Sequence, residues 1–524
     1  MPNTVARAAA LFSLSDKTGV ISLARALVAE GVTIYATDGT RAHLESAGVA
    51  AREVEDLTGF PALFDGRVKT LHPKVFGGIL SDRSSREHAR EAEQYNIPFI
   101  ATVAVNLYPF ASTIAKSGTT LAEAIEQIDV GGVSLLRAGA KNFAHVSVLS
   151  DPAQYDAFIG SLPAGPDLEA RRRLAIAAFE RNAQYDATIA HYLSGEGEVL
   201  PSDLPGSLTL TLPLAQRLRY GENPWSRAAF YLGGSNHLPE QLWGKALSYN
   251  NMLDLDGTLR LLARAPIGAQ IHSRAEEYVR AVIVKHTVPC GVAQRSSVGI
   301  AAREALAADP VSAFGGIAAV DSRLDVEAAA ALSEFFLEIV AAPEFDDDAL
   351  ALLKRKKHLR IMRYDRSVPE QLQHELRVRS ALGGVLAEED EPSSAAERWH
   401  VVSKKQPTAQ EWHDLAFAWD IVRHVKSNGV VMARDGVTVG ICAGQTNRVS
   451  AVRIAGVRAG AGARNSACAS DGFFPFADGL QEAAQAGCSA VIAPQGSIRD
   501  QEVIDAADNA GIALVFSTHR YFLH

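Results

Sequence analysis

The chain has 524 residues, 47% of them hydrophobic and 21% charged, with a formal charge of −9. Its length exceeds one core, so two to four domains are expected, and the acidic balance argues against general nucleic-acid affinity without excluding local basic pockets. No apolar run is long enough to span a bilayer and no signal-type segment opens the chain; four scattered cysteines, Cys290, Cys442, Cys468 and Cys488, argue against a disulfide framework or a structural zinc and suit the cytoplasm.

Residues 8–14 read as a buried strand, 20–30 as an amphipathic helix closed by Gly31, and 32–36 as the next strand. Such a unit predicts a parallel sheet. Thr37-Asp38-Gly39-Thr40 then opens a helix over 41–47. Small hydroxylated residues and Gly at a helix start suit a bound anion, but they equally suit a plain N-cap, and a carboxylate at Asp38 would repel a phosphate. Arg67, Lys69, His72 and Lys74 crowd one short stretch with few carboxylates nearby, which looks like an anion site rather than a solvated face. Asn106-Leu107-Tyr108-Pro109-Phe110 follows a strand over 102–105. Asp129-Val130-Gly131-Gly132 precedes a helix leading to Lys141. A Gly-, Pro- and Ser-rich linker follows over 198–210, and the main boundary is expected near 200.

The second half opens with Arg219-Tyr220 and continues to Val284-Lys285-His286-Thr287-Val288-Pro289-Cys290-Gly291. There a buried strand over 281–284 ends in a cation and an imidazole before an expected Pro-Cys-Gly turn. Lys285 could stabilise a developing oxyanion and His286 could accept a proton from an attacking amine. Read alone, the pair is also a snorkelling Lys beside a hydrogen-bonded core His. Asp309–Gly316 follows, then a long helix over 326–340 and a charged, less regular region over 344–410. In that region Asp346–Asp348 and Lys354–Lys357 read as solvated helix faces of opposite sign. A third α/β pattern begins near Trp412, carrying Lys426-Ser427-Asn428 and Gln445, and the chain closes through Phe473-Phe474-Pro475-Phe476 and a tail holding Arg520. No short-period repeat is visible.

Taken in order, the blocks Ser13–Gly19, Gly66–Pro73, Asn106–Phe110, Arg219–Pro224, Asp309–Gly316 and Phe473–Phe476 resemble, end to end, the bifunctional family joining AICAR formyltransferase to IMP cyclohydrolase. The resemblance implies an α/β chain: an N-terminal methylglyoxal-synthase-like parallel-sheet domain over 1–197 for the cyclohydrolase, then a transformylase over 211–524. The transformylase would comprise two cytidine-deaminase-like subdomains without their zinc, the second from about 400. It also implies a homodimer with shared transformylase sites, 10-formyltetrahydrofolate as formyl donor, and neither metal, nucleic acid nor membrane as partner. By the same resemblance, Lys285, His286 and Asn428 serve formyl transfer, and Lys69, Tyr108, Asp129 and Lys141 serve ring closure. Ser13, Ser15, Lys17, Thr37, Gly39, Thr40, Arg67, Thr70, Asn106 and Gly131 would hold the first domain's nucleotide. Arg219, Tyr220, Gly315, Gly316, Glu338, Phe473 and Arg520 would hold that of the second, with Gln445, Arg448 and Asp478 on the folate.

The sequence departs from the family pattern at Asp38, Phe76, Val288, Gly472 and Gln495, where Gly or Ser, His, Asn, Ala and Gly are usual. Because the reactive residues remain, the expectation is an active enzyme. Two alternatives accompany it: a specialised relative closing an AICAR-like pyrazole C-nucleotide, and a catalytically weak nucleotide-binding protein used in regulation or assembly.

Overall fold

A computed structural model describes residues 8–116, 118–195, 208–210, 212–232, 238–264, 278–389 and 397–524. The chain forms two compact units, Met1–Thr211 and Leu212–His524. Most of the expected linker lies outside the described residues.

The first unit is built on a five-stranded parallel sheet of order β3-β2-β1-β4-β5, formed by Ala8–Leu14 (β1), Thr33–Ala36 (β2), Arg52–Glu53 (β3), Phe99–Asn106 (β4) and Ser147–Leu149 (β5). β1 is almost wholly apolar because helices cover both faces, which is why it reads as a continuous hydrophobic run. The order places the C-terminal ends of β2, β1 and β4 side by side, where loops of a parallel sheet converge. The helix expected over 41–47 begins earlier, spanning Asp38–Ser46, so Asp38 lies in its first turn and complements the helix dipole.

In the second unit, two hairpins, Leu214–Arg217 (β6) with Ala229–Tyr231 (β7) and Arg377–Ala381 (β14) with Gly384–Glu388 (β15), stand apart from a twelve-stranded sheet. Half of that sheet comes from Glu240–Trp243 (β8), Val279–Lys285 (β9), Val288–Arg295 (β10), Gly316–Val320 (β11), Leu337–Ala342 (β12) and Arg360–Arg363 (β13). The other half comes from Trp399–Val401 (β16), Val430–Arg434 (β17), Val437–Cys442 (β18), Ala467–Ser470 (β19), Ala490–Pro494 (β20) and Ala513–Ser517 (β21). The order β16-β21-β20-β19-β17-β18-β10-β9-β11-β12-β13-β8 reads the same from both ends once the halves are matched. Each half has an antiparallel hairpin, a third strand antiparallel to its first, two further parallel strands and an antiparallel edge. The halves join through β10 and β18.

Corresponding glycines make the same helix-on-strand contact in each half. A Cβ on Gly291 would lie 1.9 Å from the carbonyl of Ala305, and one on Gly440 would lie 2.2 Å from that of Ala455. Two sequence expectations are corrected. The helix expected over 326–340 is a helix Val326–Ser333 followed by strand β12, because an apolar run without breakers does not separate the two states. The expected Pro-Cys-Gly turn is strand: the chain reverses at His286-Thr287, and Pro289–Gly291 form a bulged part of β10.

Candidate active sites

In the first unit, side chains at the strand ends first hold the loops in place. Thr40 is buried; its hydroxyl accepts from the Leu14 amide at 3.1 Å and donates to the Leu14 carbonyl at 3.3 Å. Asn106 accepts from the amides of Ser15 (2.6 Å) and Asp16 (2.8 Å) and donates to the Asp16 carbonyl (2.7 Å). These two expected ligand contacts are thus committed to the loop Ser13–Lys17. Lys17 reaches the Ser15 carbonyl at 3.4 Å. Thr37 is buried as N-cap of the helix that carries Gly39, and its hydroxyl lies 3.5 Å from that of Thr40.

Beside these loops, Lys69 Nζ lies 3.3 Å from Asp38 Oδ2, so the unusual carboxylate is neutralised by the cation expected to act in chemistry. Arg67 pairs with Glu126 at the surface. The Asp129 carboxylate accepts from the Gly132 amide at 2.6 Å and from the amides of Tyr108 and Gly131. Burial nevertheless raises its pKa above the ordinary carboxylate value, against those donors and the charge of Lys69. Gly131 and Gly132 are needed for this approach: a Cβ would lie 2.8 Å from Thr70 Oγ1 at the first and 2.3 Å from Asp129 Oδ2 at the second. Lys69, Thr70, Tyr108, Asp129 and Gly131 are therefore one cluster. Lys141 ends the helix that Gly131 begins, about 15 Å along the axis at 1.5 Å per residue.

A cavity of about 350 Å³ adjoins Tyr108, Ser15 and Asn106, and its other wall is Arg181, Gln184 and Tyr185. Tyr185 accepts from the Asp129 amide at 2.8 Å and donates to the Gln127 carbonyl at 2.7 Å. Sequence reasoning missed these residues, because within the long helix Leu168–Gly195 a Tyr or Gln has no motif to mark it.

In the second unit Lys285 and His286 lie at the β9–β10 reversal. Lys285 is half-buried and donates to the Phe314 carbonyl at 2.7 Å, tying it to Gly315-Gly316, while His286 is exposed. A second cavity of about 350 Å³ is lined by Lys285, His286, Val288 and Cys290 with Asp309 and Arg458. The Cys290 thiol is pushed up to about 12 by burial and the nearby Asp309 charge, so it stays protonated at neutral pH. Arg219 stacks on Tyr220, 4.7 Å from the ring centre, and this stretch bonds to Leu247 and Tyr249 at the start of the helix Tyr249–Leu262. Asn428 donates to the Gln445 carbonyl at 2.8 Å, which brings these two expected residues together.

Other expected contacts are engaged elsewhere. Arg448, expected on the folate, is buried against Asp471, whose other oxygen accepts from Ser427 at 2.5 Å. Glu338 pairs with the buried Arg360 at 2.7 Å. Phe473 is half-buried, Asp478 is exposed at the start of the helix Asp478–Ala486, and Arg520 stacks on Phe522 at 4.8 Å. Among the described residues no cluster of three or more His, Cys, Asp or Glu could hold a metal, and no helix is long and apolar enough to cross a membrane.

Two α/β units, each with cations beside a cavity, have the form of an enzyme for small anionic substrates. An MGS-like domain matches residues 19–134, and the AICARFT/IMPCHase bienzyme family matches residues 139–458. The bifunctional purine biosynthesis protein PurH of Desulfitobacterium hafniense is 45% identical, covering 98% of this chain and 99% of its own. That of Chloroflexus aurantiacus is 47% identical, covering 98% of each. A structure titled as the crystal structure of ForH is 38% identical, covering 36% of this chain and 99% of that one, with a TM-score of 0.33. The chain belongs to the AICAR formyltransferase/IMP cyclohydrolase family of purine biosynthesis. Its activities are the family's two: formylation of AICAR and closure of the product to IMP.

Proposed function

We propose that the unit Leu212–His524 carries the formyl transfer and the unit Met1–Thr211 the ring closure, with 10-formyltetrahydrofolate as donor. The observation that carries the first assignment is Lys285-His286 at a tight reversal, on the rim of a cavity and joined to Gly315-Gly316. The amine of AICAR attacks the formyl carbon while His286 takes its proton; the new C–N bond forms, the bond to folate N10 breaks, and the proton leaves with tetrahydrofolate. Lys285 offsets the charge developing on the formyl oxygen. Asn428 orients the carboxamide, and Arg219, Tyr220, Phe473 and Arg520 hold the nucleotide.

In the first unit the carboxamide nitrogen closes onto the formyl carbon and water leaves. Asp129 and Tyr108 handle the protons, and Lys69 supplies positive charge beside them. Support for Asp129 is its raised pKa next to a cation, the environment of a working acid or base rather than of a plain cap. A homodimer with shared transformylase sites rests on the family membership alone.

The test uses Lys69→Met. IMP formation from supplied formyl-AICAR should fall at least about a hundredfold, as when a charge-stabilising group is lost, while formylation of AICAR proceeds at the wild-type rate. Unimpaired closure would remove Lys69 from the mechanism. Val288 lines the second cavity where the family has Asn, so Val288→Asn assayed on AICAR and on a pyrazole C-nucleotide reads whether that wall selects the base.

A further inference from the structure

Resting on the reading of His286 as the base, we propose that Asp254 is a positioning residue that fixes the His286 turn. The turn needs such a restraint. His286 and Thr287 have φ of 56° and 61°, a conformation that two-residue hairpins normally give to Asn-Gly or Asp-Gly and that a β-branched Thr disfavours. Asp254, on the helix Tyr249–Leu262, accepts from the Thr287 amide at 2.7 Å and from the His286 amide.

The second half of the sheet repeats the device without the chemistry. Its β17–β18 hairpin turns at Asp435-Gly436, with φ of 54° and 70°. The helix Ala409–Val422 supplies Asp414, which accepts from the amides of Asp435 (3.0 Å) and Gly436 (2.9 Å). Both helices are 14 residues long and start with a capping box, at Ser248 and at Thr408, and the two aspartates occupy the same place in them. In the second half the carboxylate secures a turn whose Asp-Gly sequence already favours it. In the first it secures one whose His-Thr sequence opposes it, and that turn presents the reactive imidazole.

Burial raises the Asp254 pKa, against the two amide donors. Neither neighbour of Asp254 in sequence is a reactive group, and no motif marks it.

Formyl transfer and ring closure are assayed separately in purified full-length variants. Asp254→Asn should lower the kcat of formyl transfer roughly 10- to 100-fold, with KM for AICAR within about twofold and closure of formyl-AICAR unchanged. Adding Thr287→Gly, which relaxes the turn, should recover part of that kcat. Asp414→Asn should lower Tm but leave kcat as it is. Wild-type kcat in Asp254→Asn, or equal kcat losses in the Asp254 and Asp414 variants, overturns the proposal. If Asp254→Asn does not fold, Asp254→Glu takes its place, with lowered kcat at unchanged Tm expected and unchanged kcat overturning it. His286→Ala separates the two readings: full transfer activity there would sink the base itself, whereas loss of transfer there with a wild-type Asp254→Asn would sink only the positioning role.

Discussion

At the scale of single residues, several departures from the family pattern have physical accounts. Phe76 packs against the core of the first unit, so a hydrocarbon is accommodated there. Gly472 leaves no room for the usual methyl: a Cβ would lie 2.5 Å from Arg448 Nη2 and 2.8 Å from Phe522. Nothing in the structure explains Gln495. Asp38 neither repels a phosphate unopposed nor stands idle, because it holds Lys69 at 3.3 Å. The carboxylate is well exposed, and such pairs are worth only ~0.2–1 kcal/mol, so Asp38→Gly should tighten binding of a nucleotide monophosphate to the first site by up to about fivefold. Unchanged or weaker binding in a titration would mean that the pair serves recognition instead. Asp129 carries a stability signature as well. Its folded pKa is raised, so the protein is favoured with Asp129 protonated, and that contribution is lost as pH rises through the folded pKa. Asp129→Asn should therefore abolish closure while its Tm at neutral pH is no lower than wild type; any Tm advantage should vanish below the ordinary carboxylate range. A large Tm loss at neutral pH would show that the amide donors outweigh burial.

At the scale of elements, what the sequence revealed and what it hid have different causes. β1, the first helix and the helix Gly131–Lys141 were legible because hydrophobic periodicity and Gly punctuation agree there. The run over 326–340 was misread because its period does not distinguish a buried helix from helix then strand. The reversal at His286-Thr287 was invisible because neither residue is a turn former, and the carboxylate that bonds to it, Asp254, is distant in sequence. Candidate site residues stood out where they sat in recognisable blocks, as Lys69 and His286 do, and not where a long helix supplies a cavity wall, as with Tyr185. The joint between the halves of the sheet was likewise hidden. Arg280 on β9 pairs with Asp420 on the helix Ala409–Val422 at 2.7 Å, both side chains nearly inaccessible. Arg280 also donates to the Leu261 carbonyl at 3.1 Å, and its charge holds the Asp420 carboxyl below the ordinary value despite burial. Removing one partner strands the other, so Asp420→Ala should cost about 3–5 kcal/mol in denaturant unfolding of the second unit. A loss under ~1 kcal/mol would mean that water reaches the site and the pair is weaker than its burial implies.

At the scale of the whole molecule, each unit has its own sheet, its own core and its own candidate site, and the formylated intermediate links the family's two reactions. The second sheet has two halves of matching strand order, in which one hairpin carries Lys285-His286 and the other Arg434-Asp435. If each reaction is confined to its own unit, a lesion in one unit should be repaired by a second molecule damaged only in the other. His286→Ala should lose formyl transfer and still close supplied formyl-AICAR at the wild-type rate; Lys69→Met should do the reverse. Neither variant alone should make IMP from AICAR and 10-formyltetrahydrofolate. An equimolar mixture should make it after a lag while the released intermediate accumulates, the lag shortening as total protein rises, because the intermediate must diffuse from one molecule to another. Loss of both activities in folded His286→Ala protein would refute the division of labour. A lag that does not shorten as total protein rises would show that the intermediate does not travel through solution.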